Sequence, residues 1–262
     1  MRATHPDWLT PKWPAPARVR SLCTTRAGGR SVGSYESLNL GDHVGDNPFA
    51  VGANRALLHE SIGARPVFLS QVHGIGVVDL GQHTAHGTVA DACITTESGV
   101  ACAIMVADCL PVLLTDQQGS FVAAAHAGWR GLAGQAGIGV LESVSHRFLP
   151  SAPARRAQVA AGILAWMGPC IGPDAFEVGP EVKAAFEEHD PLASACFRPA
   201  AAGKWLADLS GLARQRLRAL GVTQIFGNDG SPSWCTVRNP SRFFSHRRDR
   251  VGGRLAACIW LD

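Results

Sequence analysis

The 262-residue chain has no Cys-X-X-Cys pair, no His-X-His pair, no internal repeat and no low-complexity tract. Its eight cysteines are scattered, so a disulfide scaffold or a zinc ribbon is not expected. No apolar run approaches the roughly 20 residues that a membrane-spanning helix needs. The start, MRATHPDWLTPKWPAP, has no hydrophobic core of a secretory signal, which makes the cytoplasm the expected compartment. Multicopper oxidation requires many imidazoles, usually presented as His-X-His, and even the closest of the ten histidines, His83 and His86, do not form that motif. A lone His/Cys/His site could still take Cu(II). A formal net charge of +3 is too small to argue for a nucleic-acid partner.

What is present is apolar content. With 46% hydrophobic and 17% charged residues the chain can fill a substantial core. Its mixture of strand-like and helix-like segments lacks strict βαβ alternation, which predicts an α+β fold in a single domain over 1–262, with mixed sheets flanked by helices. The patterning predicts strands over 19–24, 67–73, 76–79, 158–167 and 254–261. It predicts helices over 49–62, 132–148, 180–189 and 206–220, with 151–156 as a short linker. Between Val100 and Gly131 it predicts a hairpin: apolar strands over 100–106 and 111–114, turn chemistry at Asp116 to Gly119, and a return strand over 121–125. With Gln117 and Gln118 as the loop, Cys109 would face His126 directly, their Cβ atoms about 4.5–5.5 Å apart.

Two soft titratable groups so close support two chemistries. As metal ligands they need a third donor and an open position for water. His73, at the end of VFLSQV, and His43, in LGDHVGDN, are the competing candidates. His83 and His86 read as surface loop, and His59, His146 and His189 fall on predicted helices without partners. Alternatively, Cys109 as thiolate and His126 as base would form a hydrolase dyad without metal. Most other cysteines sit in core-like contexts such as ACAIM and AACIWL. Trp129 reads as packing, whereas Arg130 precedes a helix start that would favour an anion. The cluster Arg242, Arg247, Arg248, Arg250 and Arg254, with Arg26 and Arg30, is either a solvated face or a clamp for phosphate or carboxylate.

The strings SLNLGDHVGDNP, QVHG, ADCLPVLLTD, AHAGWRG, GPCIGPDAFEVGPEV and FFSHRRD, in this order over 37–261, resemble the YfiH-type family. That family was first labelled polyphenol oxidase or laccase and is now described as purine nucleoside phosphorylase with adenosine deaminase activity. Some bacterial members are named peptidoglycan-editing factors. The resemblance implies a YfiH-like fold and a zinc site made by His73, Cys109 and His126, with copper as the alternative metal. It places Arg26, Asn39, Gln71, Asp91, Arg130 and Arg247 around a purine nucleoside and inorganic phosphate, with no nucleic acid and no membrane as partner. It implies phosphorolysis of adenosine, inosine and methylthioadenosine to base and ribose 1-phosphate. It also implies adenosine deamination, with Asp108 or Asp91 moving protons. A hydrolase editing peptidoglycan precursors, a copper-binding polyphenol oxidase and a metal-stabilised binding protein are its rivals. Family members often carry Tyr where His246 stands and Cys near Asp174, so no catalytic role passes to Cys170 or Asp174.

Overall fold

The layering follows from strands that are apolar on both faces. In the computed structural model, which describes residues 4–262, every residue of β5 (Val100–Val106) is buried. Cys102 and Ile104 enter one core, whereas Ala101, Ala103 and Met105 enter another. A continuous apolar run of this kind is what a sheet covered on both sides requires.

β5 pairs antiparallel with β13 (Leu255–Leu261) and parallel with β2 (Arg65–Phe68), and β1 (Val19–Cys23) completes a four-stranded sheet beyond β13. A six-stranded mixed sheet runs in the order β12 (Gln224–Gly227), β8 (Ile163–Met167), β6 (Leu110–Asp116), β7 (Val122–Ala127), β4 (Ala92–Thr95) and β3 (Val77–Asp79). A small third sheet joins β10 (Phe197–Pro199), β11 (Trp205–Ala207) and β9 (Glu177–Val178).

The two large sheets stack face to face. Val67, Cys102, Ile104 and Ile259 of the first meet Leu113, Val122, Ala124 and Trp166 of the second. On the outer face of the four-stranded sheet, α1 (Pro48–Ile62) lays Leu58 and Ile62 against Phe68, Ala103 and Trp260. Asn47 caps α1 by accepting the N–H groups of Phe49 and Ala50, and Pro48 occupies the first turn. On the far face of the six-stranded sheet, Val112, Leu114, Ala123 and Ala125 share a core with α3 (Val140–Ser145) and α6 (Leu209–Ala219). The remaining helices are α2 (Trp129–Ala133), α4 (Pro153–Ala161), α5 (Pro180–Glu187) and α7 (His246–Asp249). The result is the mixed-sheet α+β architecture that the patterning predicts. Among the described residues no helix is long and apolar enough to cross a membrane.

Several local expectations need correction. The expected hairpin around residues 116–119 is present as β6–β7, but β5 is not part of it: residues 107–109 carry the chain from one sheet to the other. The hairpin loop is also longer than two residues. Asp116 organises that loop, its carboxylate accepting the Ser120 N–H at 2.8 Å and its carbonyl the Gly119 N–H at 3.1 Å. His126 therefore pairs with Pro111, two residues beyond the predicted partner. The helix expected over 132–148 is broken into α2 and α3 because Gly134 and Gly137 adopt φ of 71° and 78°. The expected linker over 151–156 and the start of the strand over 158–167 instead form α4, with Pro153 at its first turn and good helix formers behind it. The strand expected over 67–73 ends at Phe68, since the N–H groups of residues 72–74 turn to the Asp91 carboxylate.

Candidate metal centre and its cleft

The corrected register still brings Cys109 and His126 to one face. Shifting an antiparallel pairing by two residues preserves side-chain parity, so Cys109 lies diagonal to His126 and opposite Gly128. The crossing between sheets is sharp: Asp108 has φ of 98°. Its carboxylate accepts the Thr236 hydroxyl at 2.6 Å and the Arg247 N–H at 2.6 Å, anchoring the turn that presents Cys109.

His73 arrives from the loop beyond β2 with φ of 59°. This left-handed residue curls the loop so that the N–H groups of Val72, His73 and Gly74 converge on Asp91, at 3.2, 2.9 and 2.7 Å. His73 Nε2 then lies 3.7 Å from Cys109 Sγ, and the His73 and His126 rings meet edge to face at 4.8 Å between centroids. His126 gives its Nδ1 to Asp91 at 2.9 Å, which leaves Nε2 for the thiol side.

The donor atoms of His73, Cys109 and His126 all lie within 4.8 Å of one another. Tetrahedral zinc, with Zn–S of about 2.3 Å and Zn–N of about 2.0–2.1 Å, sets sulfur and nitrogen about 3.6 Å apart. The 3.7 Å between Cys109 and His73 matches. Gly128 keeps the space clear, since a Cβ there would lie 2.8 Å from Cys109 Sγ and 2.9 Å from His73 Cδ2. The electrostatics agree with a ligand set. Burial opposes ionisation of Cys109, but the His126 and His73 imidazoles outweigh it and bring the thiol down to about 6. Burial also opposes the imidazolium of His126, yet Cys109 and Asp91 raise it to about 9. Burial likewise opposes the Asp91 carboxylate, which His126 and the Gly74 and Val72 N–H groups nevertheless hold below its ordinary range.

The three donors open on a cleft of about 420 Å³, within the size range of small-molecule sites. Gln71, Asp108, Arg130 and Arg247 line it with them. Gln71 clasps the end of β5, donating to the Met105 carbonyl and accepting its N–H, each at 2.8 Å. Arg130 lies over the Trp129 ring, and Arg247 lies over Phe176 while donating to the Glu177 carbonyl. Arg26, Asn39 and Asp91 are not among the lining residues. Arg26 donates to the carbonyls of Glu36 and Pro240 and stacks on Phe244. Asn39 is buried, bonding Gly41, Asp46 and the Arg254 N–H. Asp91 supports the centre from behind.

His43, the rival ligand by sequence, lines the cleft but is not one of the three clustered donors. Burial and the neighbouring Arg254 hold its imidazole below the ordinary range. His246, Arg250 and Arg254 also line the cleft, as does Trp129, so part of the C-terminal arginine cluster faces this space. Cys170 is buried against Asn228, and Asp174 pairs with Arg198 and Arg238. Gly128 was missed by sequence reasoning, and its only signal is a glycine directly between a ligand strand and the next helix, in AHAGWRG.

A soft three-donor centre suited to one metal ion, opening on an arginine-lined cleft in a fold of stacked mixed sheets, defines the class of protein. More particularly, the chain belongs to the family described as multi-copper polyphenol oxidoreductase laccase, whose model matches residues 20–262. It is 48% identical over 257 residues to a purine nucleoside phosphorylase of Pseudomonas aeruginosa, covering 97% of this chain and 98% of that one. It is 47% identical over 255 residues to purine nucleoside phosphorylase YfiH of Escherichia coli, with 97% and 98% covered. The crystal structure of a Neisseria meningitidis protein of family DUF152 superimposes with a TM-score of 0.88 at 46% identity, covering 98% and 99% of the two chains.

Proposed function

We propose that the chain is a zinc-dependent purine nucleoside phosphorylase that converts inosine, adenosine and methylthioadenosine, with inorganic phosphate, to free base and the sugar 1-phosphate. The observation that carries this is the meeting of a His/Cys/His donor set with Arg130, Arg247 and Arg250 in one small-molecule-sized cleft. The names of the relatives in Pseudomonas and Escherichia agree with it. Two imidazoles and one thiolate are a donor set zinc accepts, and copper is the competing ion. When bound, the metal supplies Lewis acidity toward an oxygen or nitrogen of the substrate.

The chain's own groups do the rest. Arginines compensate the charge of phosphate and hold it for in-line approach. A phosphate oxygen forms a bond to the anomeric carbon as the bond to the base nitrogen breaks, the electron pair leaving with the base. A proton must then reach the base, and His43 and His246, which line the same cleft, are the candidate donors. Trp129 and Phe176 are aromatic residues of the cleft lining against which the purine would pack. The eight free thiols suit a reducing cytoplasm. Incubation with inosine or adenosine should release hypoxanthine or adenine and ribose 1-phosphate only when phosphate is present. Absence of base release under those conditions overturns the reading.

Exposure of His73 to the cleft leaves a side of the centre open to water, which favours adenosine deamination as a second reaction. Inosine formed from adenosine without phosphate is its measurement. The row Asp91–His126–Cys109 also has the form of a thiol hydrolase, in which a carboxylate orients the base. That reading requires release of an amino acid from a peptidoglycan precursor that survives chelation and stops on alkylation of Cys109.

A further inference from the structure

Resting on the metal-site reading, we propose that Asp91 is a positioning residue that locks both histidines of the centre, and that it touches neither nucleoside nor phosphate. Asp91 is fully buried and absent from the cleft lining. Its Oδ1 accepts the His73 N–H and the His126 Nδ1, both at 2.9 Å. Its Oδ2 accepts Val72 N–H at 3.2 Å and Gly74 N–H at 2.7 Å. Its own carbonyl takes the His126 N–H at 2.7 Å. An ionised carboxylate has roughly four acceptor sites, and here all of them serve His73, its neighbours or His126.

Two consequences follow from this bonding. The Nδ1 bond selects the His126 tautomer whose Nε2 lone pair faces Cys109, and it makes that nitrogen a stronger donor. The three N–H bonds hold His73 and its neighbours around the left-handed turn, a conformation uncommon for a non-glycine residue. One side chain thus couples two ligands that come from different parts of the chain, before any metal arrives. Replacement by Asn puts an amide N–H₂ where an acceptor must stand, facing N–H donors on at least one side.

The test uses the full-length protein and zinc titrated against a chromophoric chelator, with cobalt(II) as the spectroscopic probe. Asp91→Asn should bind zinc 10–100-fold more weakly than wild type. Its cobalt form should keep the thiolate charge-transfer band of Cys109 but show an altered d–d envelope. In parallel, ¹⁵N-histidine NMR of zinc-loaded wild type should show His126 protonated at Nδ1 and zinc-bound, without a proton, at Nε2, a measurement that needs no variant to fold. Unchanged zinc affinity and cobalt spectrum in Asp91→Asn, or a His126 bare at Nδ1, overturns the positioning role. A wild type that binds no zinc overturns the metal-site reading itself, so the two failures are distinct.

Discussion

Cys109 Sγ and His73 Nε2 lie 3.7 Å apart although 36 positions separate them along the chain. One side chain leaves the crossing between the two large sheets, the other a left-handed loop beyond β2. Loss of the thiol leaves only two imidazoles of the three-donor set. Cys109→Ala should reduce bound zinc from about one per chain to near zero by atomic absorption, with the fold retained by circular dichroism. Retention of stoichiometric zinc would sink the assigned ligand set.

Gly128 tests the shape of the centre. Its φ of −70° suits any residue, so Gly128→Ala costs little in backbone terms. The added methyl group would stand 2.8 Å from Cys109 Sγ and 2.9 Å from His73 Cδ2. The expected outcome is zinc affinity lowered on the order of tenfold or more, with a thermal midpoint of the metal-free protein close to wild type.

The protonation state of the metal-free centre is measurable through the thiol. Cys109 has its pKa lowered to about 6, and only the thiolate reacts with iodoacetamide. Alkylation of the metal-stripped protein should therefore be fast at neutral pH and fall as the pH drops through about 6. An ordinary thiol would gain rate only as pH rises toward 9. Added zinc should suppress the reaction across this range.

Arg130 lines the cleft with its guanidinium on Trp129 and no ion-pair partner among the described residues. Arg130→Ala should raise KM for phosphate by about tenfold or more, the size of a lost charge-assisted contact. Arg198→Ala, which breaks an exposed pair with Asp174, is the control and should leave KM unchanged.

Leu113 is wholly buried between the stacked sheets. Leu113→Ala should lower the unfolding free energy by about 2–5 kcal/mol, through lost burial and a residual cavity. Chemical denaturation measures it, and a loss under about 1 kcal/mol would contradict the close packing of that layer.

The sequence by itself determined the material of this protein. Two-sided apolar strands, the capped α1 and the strings around His73, Cys109 and His126 are local patterns, and each follows from short-range backbone preferences and side-chain type. Even the parity that puts Cys109 and His126 on one face survived an error of two residues in register, because side chains alternate with a period of two. What depended on long-range contacts was not legible. VACAIMV and LPVLLTD read as neighbours, yet they enter different sheets, since an apolar run records burial and not its partner. Asp91 gave no sign that its carboxylate would gather N–H groups from residues 72–74 and the ring of His126, and the place of Gly128 between a ligand strand and the next helix did not by itself say that its missing Cβ holds the centre open. Such roles arise only when segments distant in sequence are packed to within a bond length or two, and tertiary structure alone sets those distances.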